Sequence, residues 1–178
     1  MSQDVHSTFA LKKVSLRDGH TEYALLQAMP EENGFMNDGY GIAWEAFPGW
    51  LRSQVDMARG IGLPDGYVPQ ISYWFYADGV PVGRAKLRVR LTDQLMKTGG
   101  HIGYGIAAAY RGKGYGTQTL RLVLRKARAF GIERALVTID EGNIASRRVA
   151  EHCGGVLQDV LAGRCRYWVP TDRAELAW

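Results

Sequence analysis

Apolar residues along this chain change their period at recognisable points, and the changes divide it into alternating strands and helices. Phe9 to Val14 reads as a first strand, and Thr21 to Met29 as a short helix led by Thr21. Pro30 to Gly41 is rich in Gly, Asn, Asp and Glu and reads as a loop. Phe47, Trp50, Leu51, Gln54, Val55 and Ala58 then recur at helical spacing until Gly60 and Gly62 end the pattern. Ile71 to Tyr76 and Val80 to Leu91 flank Asp78-Gly79, a pair suited to the positive φ angles of a tight hairpin turn. A fourth strand is predicted over His101 to Ala108, a helix over Thr117 to Phe130, a fifth strand over Ala135 to Asp140 and a helix over Ile144 to His152. Val156 to Val160 and Cys165 to Val169 read as a closing hairpin. Within Thr117 to Phe130, Leu120, Val123, Leu124 and Ala127 fall at i, i+3, i+4 and i+7, so that face packs on the sheet and the polar N-terminus stays free.

What precedes that free terminus is the chemically informative stretch, Arg111-Gly112-Lys113-Gly114-Tyr115-Gly116. A strand that feeds a glycine-rich turn opening a helix is a place to bind phosphate: glycine permits close approach and positive φ, and the first helical N–H groups and the helix dipole attract an anion. Arg111 and Lys113 add positive charge. A Walker loop is excluded, because Gly114 stands where magnesium needs a hydroxyl. The dinucleotide fingerprint is excluded too, since the three glycines are spaced two by two.

The stretch does match R-x-x-G-x-G, the pyrophosphate signature of the GNAT acetyltransferases. Following the predicted fifth strand, Asn143-Ile144-Ala145-Ser146-Arg147 to Gly154-Gly155 resembles the second half of that family's acyl-CoA site. The resemblance covers Gly99 to Gly155 and implies a GNAT fold of the α/β (α+β) class, a mixed central sheet of six to seven strands flanked by about four helices. It implies acetyl-CoA as acyl donor, bound by Tyr104, Ile106, Ala107, Arg111, Gly112, Lys113, Gly114, Tyr115, Gly116, Thr117, Asn143, Ser146 and Arg147. Ile106 and Ala107 would pair main-chain groups with the pantetheine amides, and an N–H around Tyr104 to Ile106 would stabilise the thioester oxygen. The family's usual tyrosine, seven residues beyond the helix Asn, is Ala150 here, and its Gly-Phe is Gly154-Gly155. Tyr167 on the late strand is therefore a candidate to protonate the leaving sulfur. His101, near the family's usual carboxylate base, and Glu141, at the end of the fifth strand, are candidate bases. Glu31 and Glu32 in the early loop are candidates to recognise a cationic acceptor. Trp74, with Trp44, Phe47, Trp50 and Tyr76, is a candidate wall around a compact one.

Composition narrows the alternatives. At 178 residues, 46% hydrophobic and 22% charged, the chain suits one folded domain, and no apolar run reaches the length of a membrane span. Met-Ser-Gln-Asp-Val-His lacks the pattern of a signal peptide, so the cytoplasm is the expected compartment. Cys153 and Cys165 are too far apart for a redox pair and are expected as reduced thiols, and no His or Cys pair has zinc spacing, so no metal is expected. The net charge of +4 is concentrated near the proposed CoA site, without the aromatic-interleaved strand of an RNA binder, so neither nucleic acid nor membrane is an expected partner. The expected acceptor is a small-molecule primary amine. A protein N-terminus or lysine is the alternative, and a non-catalytic acyl-CoA-binding module is the reading the absent tyrosine suggests. An edge strand would permit a homodimer.

Overall fold

A computed structural model describes residues 7–172, and the signal-peptide reading of residues 1–6 lies outside them. β1 (Phe9–Lys13), β2 (Gln70–Ala77), β3 (Val80–Arg88) and β4 (Ile102–Ile106) form one antiparallel sheet in that order. β5 (Arg134–Asp140), β6 (Val156–Leu161) and β7 (Arg164–Pro170) form a second, ordered β5-β7-β6. Between β1 and β2 come α1 (His20–Gln27) and α2 (Phe47–Arg59). A short α3 (Asp93–Lys97) precedes β4, α4 (Tyr115–Ala129) joins β4 to β5, and α5 (Ile144–His152) joins β5 to β6. The class is α+β with seven strands, as expected; the sheet is divided in two, and α3 adds a helix that the hydrophobic pattern does not mark. The α3 signal is local instead: Thr92 caps the helix, its side chain accepting from the Leu95 N–H.

Local chemistry accounts for the turns. Asp78 and Gly79 both take positive φ between β2 and β3, and α2 stops at Gly60, which is left-handed with φ 76°. α1 starts after Gly19, whose N–H donates to the Glu22 carboxylate, so Thr21 lies inside the helix rather than leading it.

β2 is buried along its whole length because both faces of its sheet are covered. On one face Tyr73, Ala85, Leu87 and Ile102 meet Leu120, Val123, Leu124 and Ala127 of α4, the stripe the sequence marks out. On the other, Trp74 and Tyr76 meet Leu25 and Leu26 of α1 and Phe47, Trp50 and Leu51 of α2. The aromatics expected to wall a ligand are therefore a packed core. Trp74 is fully buried, and its indole N–H donates to Asp18 at 2.7 Å, so it has no surface left for an acceptor. Each such side chain stabilises the fold by roughly 1.5–3 kcal/mol. Cys153 and Cys165 are buried and free, and no helix among the described residues is long and apolar enough to cross a membrane.

Candidate active site

The two sheets meet at a pinch. The His101 N–H donates to the Leu136 carbonyl at 2.8 Å, and the Leu136 N–H donates back to His101 Nδ1 at 2.9 Å. Just before it, the Gly99 N–H donates to Thr138 Oγ1 at 2.8 Å. Gly100 has φ 57°, and a Cβ there would lie 2.4 Å from the Leu136 carbonyl oxygen, so only glycine allows this approach. Beyond the pinch β4 and β5 part, and a cleft of about 660 Å³ opens between Ile102–Ile106 and residues 137–139.

Antiparallel pairing decides which main-chain groups face that gap. The Ala107 N–H donates to Val82 and the His101 carbonyl accepts from Arg88, so odd-numbered residues along β4 spend their groups on β3. Ile102, Tyr104 and Ile106 consequently turn theirs to the open edge. The Ile106 carbonyl is taken by Arg111 Nε at 2.9 Å, leaving the Tyr104 and Ile106 N–H groups for a ligand. Ala107 departs from expectation: it is buried, and its N–H is committed to β3.

At the mouth of the cleft, Gly112 and Gly114 both have φ 76°, and a Cβ at either would meet nothing within 4 Å. Gly114 is the N-cap of α4 and has no side chain to bond the first-turn N–H groups, so these stay available. Arg111, Tyr115, Gly116 and Thr117 line the same mouth, whereas Lys113 is exposed outside it with its ammonium 5.7 Å from the Tyr110 ring. The Arg111 guanidinium is bonded to the Glu32 carboxylate across the cleft. Asn143 and Ser146 line the far wall, where Asn143 Oδ1 caps α5 by accepting from the Ser146 N–H. Arg147 turns away, donating to the Glu141 carbonyl at 3.1 Å and approaching the Tyr167 hydroxyl at 3.4 Å.

The expected proton-transfer residues sit apart from the cleft. His101 has its Nδ1 lone pair occupied by the Leu136 N–H, and burial, helped by the Arg88 charge, lowers its pKa. It splices the two sheets. Tyr167 is buried, its hydroxyl donating to Glu151 at 2.7 Å, and burial and that carboxylate raise its pKa. Glu141 is exposed beyond β5 and does not line the cleft. Glu31 accepts from the Asn37 N–H at 3.2 Å and shapes the early loop, while Glu32 is a lining residue. Ala150, at the family's tyrosine position, is fully buried in the core.

Tyr104, expected as an acetyl-CoA-binding residue, and Lys86, which the sequence left unassigned, bring side-chain chemistry to the lining. The Tyr104 side chain is on the cleft wall beside Ser146, and its buried hydroxyl meets no protein group in good hydrogen-bonding geometry. Burial pushes its pKa up to about 12, so it is a neutral proton donor. Lys86 on β3 also reaches the cleft; the signal for it is the run Arg84, Lys86, Arg88 at strand spacing in an otherwise apolar segment. Among the described residues no group of three His, Cys, Asp or Glu side chains is placed to hold a metal ion.

No curated protein matches the sequence significantly. Among solved structures, the putative acetyltransferase yncA from Salmonella typhimurium, solved with its cofactor acetyl-CoA, is similar at a TM-score of 0.58 and 18% identity over 96% of each chain. RimJ of Mycobacterium smegmatis, solved with CoA-disulfide, is similar at a TM-score of 0.68 and 20% identity, over 95% of this chain and 85% of that one. The microcin C7 self immunity acetyltransferase MccE, in complex with acetyl-CoA and AMP, has a TM-score of 0.65 at 16% identity, over 91% of this chain and 92% of its own. At these identities the likeness is one of fold. The sequence family described as the acetyltransferase (GNAT) domain matches residues 44–156, more than half of the 178. That span holds β4, the glycine turn, α4 and α5, which build the cleft, and the chain belongs to the GNAT acetyltransferase family.

Proposed function

We propose that the cleft binds acetyl-CoA and transfers its acetyl group to a primary amine. The observation that carries this reading is the open space over Gly112 and Gly114, facing the uncapped first turn of α4 at the mouth of a gap edged by unpaired main-chain groups. A pyrophosphate suits that turn through the N–H groups of residues 112–117, and through Arg111 once it leaves Glu32. Lys113, Arg147 and other surface cations add a steering field rather than direct contacts. The pantetheine amides suit the Tyr104 and Ile106 edge, and Asn143 and Ser146 offer polar groups on the opposite wall.

In the reaction the amine nitrogen attacks the thioester carbon, charge develops on the carbonyl oxygen, and the carbon–sulfur bond breaks. A β4 N–H serves the developing charge. An amine with an ordinary pKa near 10.4 costs about 4–5 kcal/mol to present neutral at pH 7, so its proton must be removed. Glu32 is the one carboxylate among the described lining residues, and once it is released from Arg111 we give it that role, through water. The departing thiolate takes the proton of Tyr104, in place of the tyrosine that Ala150 replaces. The donor is a cytoplasmic metabolite, and we place the enzyme with it.

Calorimetric titration of acetyl-CoA into the wild type and into Gly114→Trp tests the site. Micromolar binding, lost in the variant, together with CoA release on adding an amine, is the expected result. Absence of binding to the wild type overturns the proposal, and binding without CoA release from any amine leaves only an acyl-CoA-binding module.

A further inference from the structure

Successive side chains of β3 point to opposite faces, so Arg84, Lys86 and Arg88 share one face while Ala85 and Leu87 enter the core behind. The cationic face looks toward α1, α2 and the loop over residues 28–43, the side away from the α4 glycine turn. Arg84 is fully buried, its guanidinium 4.9 Å from the Trp50 ring and 5.3 Å from that of Trp74. It donates from Nη1 to Asn37 Oδ1 at 2.7 Å, and its Nε and Nη2 have no acceptor. Arg88 donates to the carbonyls of Gly99 and Gly100. Lys86 ends in the cleft, where its ammonium donates to the Met36 carbonyl at 2.9 Å and lies 5.9 Å from the Phe35 ring.

None of the three has a carboxylate at ion-pair distance among the described residues, where the ion pairs are Arg111–Glu32, Arg164–Asp140 and Arg166–Asp159. Asp38 and Glu31 act on Lys86 only through space, and each is engaged elsewhere, Asp38 by Gln54 and Glu31 by the Asn37 N–H. Burial, with the charges of Arg84 and Arg88, lowers the Lys86 pKa to about 8, which still leaves it mostly protonated at neutral pH. Opposite Lys86 on β4 is Gly103, and a Cβ there would meet nothing within 4 Å, so the strand leaves room beside the ammonium. A second cation entering this space would meet repulsion in a partly desolvated site, whereas an anion would supply the missing partner.

We propose that Lys86 determines acceptor specificity, and that the acceptor amine carries a carboxylate or phosphate which Lys86 binds. The proposal rests on the acetyl-transfer reading and reverses the expectation of a cationic acceptor held by Glu31 and Glu32. It leaves acetyl-CoA binding to the other end of the cleft.

The test measures CoA release at saturating acetyl-CoA from wild type, Lys86→Gln and Lys86→Arg. The acceptors are ethanolamine, O-phosphoethanolamine, β-alanine, propane-1,3-diamine and the tripeptides Ala-Glu-Glu and Ala-Lys-Lys. The expected result is that the best anionic acceptor exceeds its neutral or cationic counterpart at least tenfold in kcat/KM. Lys86→Gln then raises its KM tenfold or more with kcat changed less than threefold, Lys86→Arg recovers to within threefold, and the Kd of acetyl-CoA is constant throughout. The phosphate, carboxylate and peptide arms show which anion is preferred. The inference is overturned if wild type lacks the tenfold preference, including the case of no turnover with any acceptor while acetyl-CoA binds. It is equally overturned if the Lys86→Gln loss falls on kcat for every acceptor. Failure of acetyl-CoA to bind wild type is the separate outcome that removes the transfer reading, and this inference with it.

Discussion

Tyr104 turns its main chain toward the edge of β4 and its side chain out of the sheet. Its main-chain N–H turns to the gap because odd-numbered neighbours serve β3, and its side chain lies on the α4 and α5 side, 3.6 Å from a Cβ built on Gly116. The hydroxyl lies beside Ser146, and burial keeps it protonated. Removing only that oxygen separates proton delivery from binding. Tyr104→Phe is expected to lower kcat tenfold or more while the acetyl-CoA Kd stays within twofold, measured by steady-state CoA release and calorimetry. An equal loss in binding would make Tyr104 a wall rather than an acid.

The loop over residues 28–43 is the element that closes the cleft from the α1 side. Phe35 and Met29 lie against Gly105, each with an atom 3.2 Å from where a Cβ would be. Gly34, with φ 78°, abuts the Arg164–Asp140 ion pair on the other sheet. Glu32 bonds Arg111, so the loop presents a carboxylate to the guanidinium assigned to the pyrophosphate. Both partners are substantially exposed, and such a pair contributes about 0.2–1 kcal/mol. Glu32→Gln should therefore tighten acetyl-CoA by about 1.4- to 5-fold, measured by calorimetry, because Arg111 no longer has to leave a partner. The same variant should slow turnover if Glu32 receives the amine proton, so binding and rate move in opposite directions.

At the scale of the molecule, two antiparallel sheets are spliced through His101 and Leu136 and held apart elsewhere by the gap. His101 works there as a neutral acceptor. Its folded pKa is depressed, so below the ordinary value near 6.5 the unfolded chain takes up a proton that the folded chain declines. The stability it contributes is present above pH 6.5 and is lost as pH falls through 6.5 toward the folded value. Thermal unfolding of wild type and His101→Asn from pH 7.5 to pH 5.0 should show the gap in Tm largest at pH 7.5 and narrowing in acid, by roughly 2–4 °C per kcal/mol lost. A gap independent of pH would mean that His101 does not titrate in this window.

The order of strands and helices apart from α3, the Asp78-Gly79 hairpin, the packing stripe of α4 and the glycine turn before it were legible in the sequence, because each follows from local periodicity or from backbone conformations that few residues tolerate. Tertiary structure alone decided the rest. It sent His101 to a sheet junction and Tyr167 behind the cleft wall, and it turned Trp74 into core, since these fates depend on which strand lies beside each residue and which helix covers it. It also brought Lys86, Glu32 and Tyr104 to one cleft from segments far apart in the chain. Strand alternation indicates that a side chain faces one side of a sheet, but only the packed neighbours determine whether that side meets solvent, core or ligand.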